Sequence, residues 1–238
     1  AEEYGIIGST EWVEEFLPEL TSGAIAYINA DSAVSGPNFN ASSSPSLKQP
    51  ILDAIQDVSY AGEDRSIYEW WAQRADDGSP TMGNLGGGSD HVAFYTHAGV
   101  PSASLGSGGR SGIYHSNYDN FAWYERFGDT EWVFGPMIAR VDGLLALRFA
   151  NADLLPYDVT RYAVDTRTHV ETLMEVAAQR GVEVNLSRLV DAIRDLDGAA
   201  AALDQARAER VAAGLLSVAE TKRINAAFIG LEKAWLDD

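Results

Sequence analysis

The sequence predicts an α/β fold, a central sheet flanked by helices, followed by an all-helical region. Three observations carry that expectation. Short apolar runs that end in polar or glycine-rich loops alternate with segments of helical apolar spacing, the pattern of an α/β sandwich. Beyond Pro156 the strand signals stop, and apolar residues recur in alternating steps of four and three. The chain has 238 residues, is 46% hydrophobic and holds six Trp, enough to bury a substantial core. The expected division is 1–155 for the α/β part and 156–238 for the helical part.

From the N-terminus, Ser9 is the expected cap of a first helix, with Trp12 and Phe16 spaced for one buried face and Pro18 near its end. Ala24 to Asn29 reads as a strand, in which Ile25, Tyr27 and Ile28 lead into the polar Asn29-Ala30-Asp31. Ser32 to Pro45 is rich in Ser, Asn, Gly and Pro and is expected to be a loop. Leu47, Ile51, Ile55 and Val58 have helical spacing. Gly83, Gly86, Gly87 and Gly88 make a flexible loop before a helix capped by Ser89 or Asp90, to which His91 and His97 belong. Val100 to Leu105 reads as a second strand, and the glycine-rich Gly106 to Gly112 leads to Tyr114-His115. Val133, Met137, Val141, Leu144 and Leu145 mark the apolar side of a long helix.

In the last third, Leu189, Ile193, Leu196, Ala200 and Leu203 form one helical stripe, and Ile224, Phe228, Leu231 and Trp235 another. Ser217 and Glu220 make a capping box. The stripes need partners. A bundle between chains and packing back onto the sheet explain the periodicity equally well. His169 falls in this region and is assigned to no site.

The net charge is −18, from 35 acidic and 17 basic residues. Such a surface repels phosphate backbones and anionic bilayers, so no nucleic-acid partner is expected. No cysteine is present, which excludes disulfides, thiolate ligands and a cysteine nucleophile. Any metal would be held by His, Asp and Glu. No apolar run of about 18 residues occurs, so no membrane segment is expected in this sequence. The first residues show neither a basic n-region nor a signal-peptide core.

The chemistry-bearing residues lie in separate loops. Adjacent strand residues point to opposite faces, but Gly5 permits a turn that would let Glu2 and Glu3 reach one site. Asp31 stands at the carboxyl end of a strand, where open α/β sheets place their ligands. His115 follows a glycine-rich loop. Glutamate, aspartate and histidine gathered from separate loops are what a hydrolytic zinc site is built from. Taken one at a time, each has a plainer reading: a solvated acidic pair, an Asx turn, a polar surface histidine. A serine hydrolase is disfavoured, because Gly106-Ser107-Gly108 is too short to be a nucleophile elbow.

Five segments together sharpen the picture. They are Glu2-Glu3-Tyr4-Gly5-Ile6-Ile7-Gly8-Ser9-Thr10-Glu11-Trp12, Tyr27-Ile28-Asn29-Ala30-Asp31, Gly88-Ser89-Asp90, Tyr114-His115-Ser116 and Leu155-Pro156-Tyr157-Asp158. Through them nearly the whole chain resembles the zinc-dependent peptidases of the glutamate carboxypeptidase II and transferrin receptor family. The resemblance implies a partial zinc-peptidase α/β sandwich in 1–155 and a transferrin receptor-like helical dimerisation domain in 156–238, hence a homodimer. By position, Glu2 matches the general base, Glu3 and His115 match ligands of one zinc, and Asp31 matches a ligand of a second. Tyr114 matches the tyrosine that steadies the tetrahedral intermediate. Gly88 and Ser89, with Tyr114, match substrate-binding positions, and Glu11 and Glu14 match two carboxylates of a structural calcium site. The partner implied is a peptide substrate, in an extracytoplasmic or secreted setting.

The sequence also departs from that family. The remaining histidine ligand and the bridging aspartate precede the glutamate pair in the family, where this sequence has only Ala1. The expectation is a C-terminal fragment with weak or no zinc binding and no useful peptidase activity by itself. Ser104 and Gly106 stand where glutamate-selective members carry arginines, and Ser89 stands where they carry an asparagine. Without those cations, charge-assisted pairing to an acidic substrate is lost, although Arg110 lies near in sequence. A non-catalytic receptor or scaffold resembling the transferrin receptor is the alternative. The presence of Glu2, Glu3, Asp31 and His115 together favours the peptidase.

Overall fold

Near the N-terminus the backbone is shaped by consecutive left-handed residues. Glu2–Tyr4 forms a 3-10 turn, Gly5 and Ile6 take φ of 87° and 53°, and helix α1 runs Ile7–Glu15. The computed structural model describes residues 2–214 and 216–236. Ser9 lies inside α1 and its hydroxyl bonds back to the Ile6 carbonyl at 3.1 Å, so it is not the cap. Val13 is the buried residue of this helix. Trp12 and Phe16 meet with tilted rings, centroids 5.0 Å apart, but remain 46% and 36% exposed, contrary to the buried face expected of them. Pro18 opens helix α2 (Leu17–Gly23) instead of closing α1. In a first helical turn the missing proline N–H would have no partner anyway.

Four strands form one mixed sheet: β1 (Tyr27–Asn29), β2 (Asn38–Ser43), β3 (Gly83–Asn84) and β4 (Ser102–Gly108), in the order β1-β4-β2-β3. β1 runs parallel to β4, with Asn29 opposite Ser104. β2 runs antiparallel to β4, with Phe39 opposite Ser107 and Ser43 opposite Ala103. β3 adds a short parallel edge beside Ser42 and Ser43. The stretch from Ser32 to Pro45 is therefore not all loop, because β2 lies within it. Phe39, Ala41 and Ser43 point into the core, while Asn38 and Asn40 face out. β4 also runs on to Gly108, past the expected end at Leu105. There the chain passes so close to its neighbour that a Cβ on Gly109 would lie 2.3 Å from the Ser35 carbonyl oxygen.

Helix α3 (Pro45–Gln56) turns Leu47, Ile51 and Ile55 inward as its spacing predicts, with Val58 buried just beyond its end. Helix α4 (Ile67–Ala72) was not foreseen; a reciprocal Ser66–Glu69 capping box starts it. A π-helical segment spans Ala93–His97. The short α5 (Phe121–Trp123) and a second π-helical turn, Tyr124–Gly128, precede α6 (Phe134–Asn151). The last third folds as α7 (Arg161–Gln179), α8 (Ser187–Ala212) and α9 (Val218–Lys233). The Ser217–Glu220 capping box opens α9 as expected.

The main core joins Phe39, Leu105, Ile51, Trp70, Met137 and Val141 to Tyr157, Ala200 and Phe228, so α8 and α9 pack back against the α/β part. A smaller cluster of Ala163, Val170 and Ile193 holds α7 to α8. Leu173, Met174, Leu189, Val190 and Leu203 stay on the outside of these helices. Among the described residues no helix is long and apolar enough to cross a membrane.

Candidate active site

Two side chains far apart in sequence meet at the N-terminal turn. The Glu3 carboxylate oxygen Oε1 lies 3.0 Å from His115 Nε2, in a contact about half open to solvent. The 3-10 turn puts Glu3 on this side. His115 reaches it from a residue in left-handed backbone, φ 57°. The Tyr114 ring stacks on the imidazole with centroids 3.8 Å apart, and Tyr114 as a whole stays exposed. Ser116 braces the turn: its hydroxyl donates to the Ile113 carbonyl at 2.6 Å and accepts from Tyr118 N–H at 3.2 Å.

A second group forms where β1 ends. Tyr27 OH donates to Asn29 Oδ1 at 3.3 Å, Asn29 Nδ2 donates to Ser89 Oγ at 3.0 Å, and Ser89 Oγ donates to Asp31 Oδ2 at 2.8 Å. Gly88, at φ 86°, supplies the left-handed turn that brings Ser89 to Asp31. Burial pushes the Tyr27 hydroxyl pKa up, and the charges of Asp90 and Asp31 push it further. Its ring stacks on Phe94 at 4.0 Å. An open hollow beside this group is lined by Glu2, Gly8, Ser9, Trp12, Tyr27, Asp90 and Phe94.

The fold thus joins Glu3 to His115 and Asp31 to Ser89, and places Glu2 on the hollow. It does not merge the two pairs. Among the described residues, no three His, Asp or Glu side chains gather so as to hold one metal ion. Glu11 and Glu14 lie exposed on α1. His91, read from sequence as an ordinary helix residue, is buried with Nε2 2.8 Å from the Gly86 carbonyl, where it clamps the glycine-rich loop. His169 Nε2 lies 3.3 Å from Asn84 Nδ2.

The donor set can be tested against zinc. Two ligands of a tetrahedral zinc stand about 3.4 Å apart when each bond is about 2.0–2.2 Å. The Glu3–His115 separation of 3.0 Å is close to that edge. Carboxylate and imidazole are also the right donors in a chain without cysteine. The pair has the donor chemistry for two ligands of one ion, and the described residues bring no third to it.

Residues 1–132 match Peptidase family M28, and the chain belongs to that family, whose members are generally zinc-dependent. The family agrees with the resemblance that the five sequence segments carry. The chain is 43% identical over 202 residues to a probable glutamate carboxypeptidase, LAMP1, of Arabidopsis thaliana, covering 84% of this chain and 29% of that protein. It is 39% identical to a probable glutamate carboxypeptidase of Arthroderma benhamiae, over 81% of this chain and 27% of that one. It is 32% identical to the aminopeptidase NAALADL1 of Rattus norvegicus, over 86% of this chain and 30% of that one. The chain therefore spans less than a third of the length of these relatives.

Proposed function

We propose that this chain carries part of the active site of a co-catalytic, dinuclear zinc exopeptidase, with a peptide as substrate. The observation that carries the reading is the Glu3–His115 contact at 3.0 Å, which joins the N-terminal turn to a residue far along the chain. In this assignment Glu3 and His115 are ligands of one zinc and Asp31 is a ligand of the other. When bound, zinc supplies Lewis acidity to a peptide carbonyl and acidifies water. Glu2, on the open hollow, is the general base that takes the proton of the attacking water and returns it to the leaving amine. The hydroxyl of exposed Tyr114 donates a hydrogen bond to the developing oxyanion. Gly88 and Tyr114 border the substrate, and the resemblance gives Ser89 the same part.

The remaining assignments belong to the same reading. Glu11 and Glu14 are two carboxylates of a calcium site. Residues 156–238 form a dimerisation domain, and the apolar positions left outside on α7 and α8 support a homodimer. A polar β4 without arginine at Ser104 or Gly106 supports a substrate preference other than glutamate.

Zinc titration of the chain by calorimetry tests the assignment. A pair of ligands without a third is expected to bind zinc weakly and to lose it on dialysis, with no metal-dependent cleavage of dipeptides by the chain alone. Glu3→Gln and His115→Ala are each expected to remove the part of that weak binding that belongs to their own zinc, leaving the response at Asp31. Stoichiometric zinc retained through dialysis overturns the weak-binding expectation. Binding that neither substitution changes overturns the ligand pair, and a chain that binds no zinc at all is better explained as a receptor-like scaffold without metal.

A further inference from the structure

We propose that Ser89 is a positioning residue that fixes the orientation of the Asp31 carboxylate, and is not a contact to substrate. The inference rests on Asp31 being a metal ligand, as proposed above, and revises the part given to Ser89 there.

The direction of the hydrogen bonds is the argument. An amide NH2 can only donate, so the 3.0 Å contact from Asn29 Nδ2 occupies an acceptor position on Ser89 Oγ. An ionised carboxylate can only accept, so the single hydroxyl proton of Ser89 goes to Asp31 Oδ2 at 2.8 Å. Asn29 Oδ1 in turn accepts from Tyr27 OH. Proton donation runs one way, from Tyr27 through Asn29 and Ser89 to Asp31. With its proton committed, the Ser89 hydroxyl has no donor left for the carboxylate or carbonyl of a substrate. Asn29 and Ser89 are only 5% and 6% exposed, which also keeps them from a ligand that arrives from solvent.

The consequence falls on Asp31. Its Oδ2 is held by Ser89, whereas Oδ1 meets the Ser32 hydroxyl at 3.4 Å, a weak contact. A carboxylate pinned at one oxygen presents the other in a fixed direction, so Oδ1 is the atom left for a cation. Hydrogen bonds behind a ligand work in this way to orient it and raise its affinity.

The segment that delivers Ser89 is anchored on both sides of the loop. Buried Lys48 donates from Nζ to Asn84 Oδ1 at 2.6 Å, and His91 Nε2 meets the Gly86 carbonyl at 2.8 Å. Gly88 then turns through left-handed backbone to aim Ser89 inward. A loop free to move would not keep a hydroxyl at 2.8 Å from one oxygen.

The experiment is NMR on the isotope-labelled chain. The Asn29 side-chain amide and the Asp31 carboxyl carbon are followed in the wild type, Ser89→Ala, Ser89→Thr and Asp31→Asn, each titrated with Zn2+. Ser89→Ala is expected to move both signals and to weaken the zinc response at Asp31 by about tenfold. Ser89→Thr keeps the hydroxyl and restores both. A role limited to packing would lower the melting temperature without changing the zinc response. If Ser89→Ala leaves the Asn29 and Asp31 signals in place, or leaves a zinc response that Asp31→Asn abolishes, positioning by Ser89 is overturned while the metal assignment survives. If Ser89→Ala moves both signals but zinc never perturbs Asp31 in the wild type, the hydrogen-bonded orientation stands and the assignment of Asp31 as a ligand fails.

Discussion

His115 holds its place against a conformational preference. A non-glycine residue in left-handed backbone gives up about 1–2 kcal/mol, because Cβ crowds the following carbonyl. The chain offsets this locally through the Glu3 contact, the stacked Tyr114 ring and the Ser116-braced turn. Strain of this kind concentrates at sites whose geometry matters. It leads to a stability prediction that does not depend on metal. His115→Gly and His115→Ala both remove the imidazole, but only glycine relieves the backbone. After allowance for the greater freedom of glycine in the unfolded chain, His115→Gly is expected to be more stable than His115→Ala by about 0.5–1 kcal/mol in urea denaturation. Equal stabilities would show that the left-handed turn carries no strain. The sequence made His115 a candidate through the company it keeps, the carboxylates of other loops first and the family resemblance after them. No local pattern announces a left-handed histidine. Nor can residue identity tell which way the Ser89 hydroxyl points, since that is set by a side chain on another strand.

Elements were legible wherever their pattern was written in apolar residues. α3 and α6 follow their spacing because each buries a stripe of large apolar residues, whereas the expected stripes of α8 and α9 bury only their middle, Ile193 and Ala200 on one and Phe228 on the other, and leave Leu189, Leu203 and Trp235 outside. β2 was hidden because its alternation is written as Asn-Phe-Asn-Ala-Ser-Ser, a composition that otherwise marks loops. Only pairing against β4 reveals that the small residues face inward. The start of α6 was equally obscure. Buried Asp129 accepts from the N–H groups of Val133 and Gly135 at 2.9 and 2.8 Å, and so serves the open end of that helix from outside it. Further along α6, Asp142 presents a pH-dependent liability. Burial pushes its carboxyl pKa up to about 6, and among the described residues its Oδ1 has no hydrogen-bond partner. The folded protein binds this proton more tightly than the unfolded chain does. The penalty is therefore absent below about pH 4, grows as pH rises toward about 6, and is constant above. Asp142→Asn cannot ionise. Its melting temperature is expected to gain on the wild type between pH 4 and 6 and to hold that gain to pH 8. A difference that does not change with pH would show that Asp142 is solvated in the folded state.

At the scale of the whole molecule, apolar periodicity left two destinations for the C-terminal helices, and buried charge helps to decide between them. Lys48 sits among the core-facing residues of α3, where a sequence reader expects a solvated side chain. It is 3% exposed, with Nζ 2.7 Å from Asp165 Oδ2 on α7. The geometry is that of an ion pair more than of an aligned hydrogen bond. Arg161 adds a contact at 2.8 Å to the other oxygen of Asp165. Nearby, the Glu232 carboxylate of α9 accepts from Tyr162 OH, and burial pushes its pKa up. Two helices of the last third are thus tied to the α/β part or to each other by polar groups removed from water. Pairs of this kind add little net stability over an apolar replacement, but removing one partner strands the other. Lys48→Met leaves Asp165 with Arg161 alone, and Asp165→Leu leaves a buried ammonium with only an amide oxygen. Each single substitution is expected to cost about 3–5 kcal/mol. The double variant should cost clearly less than their sum, because the second change removes the charge that the first one stranded. Denaturation of all four proteins in urea closes the cycle. If α7 is docked through this pair, the coupling is at least about 2 kcal/mol. Additive losses would mean that Lys48 and Asp165 are each solvated in solution, and that α7 rests on the α/β part by apolar contact alone.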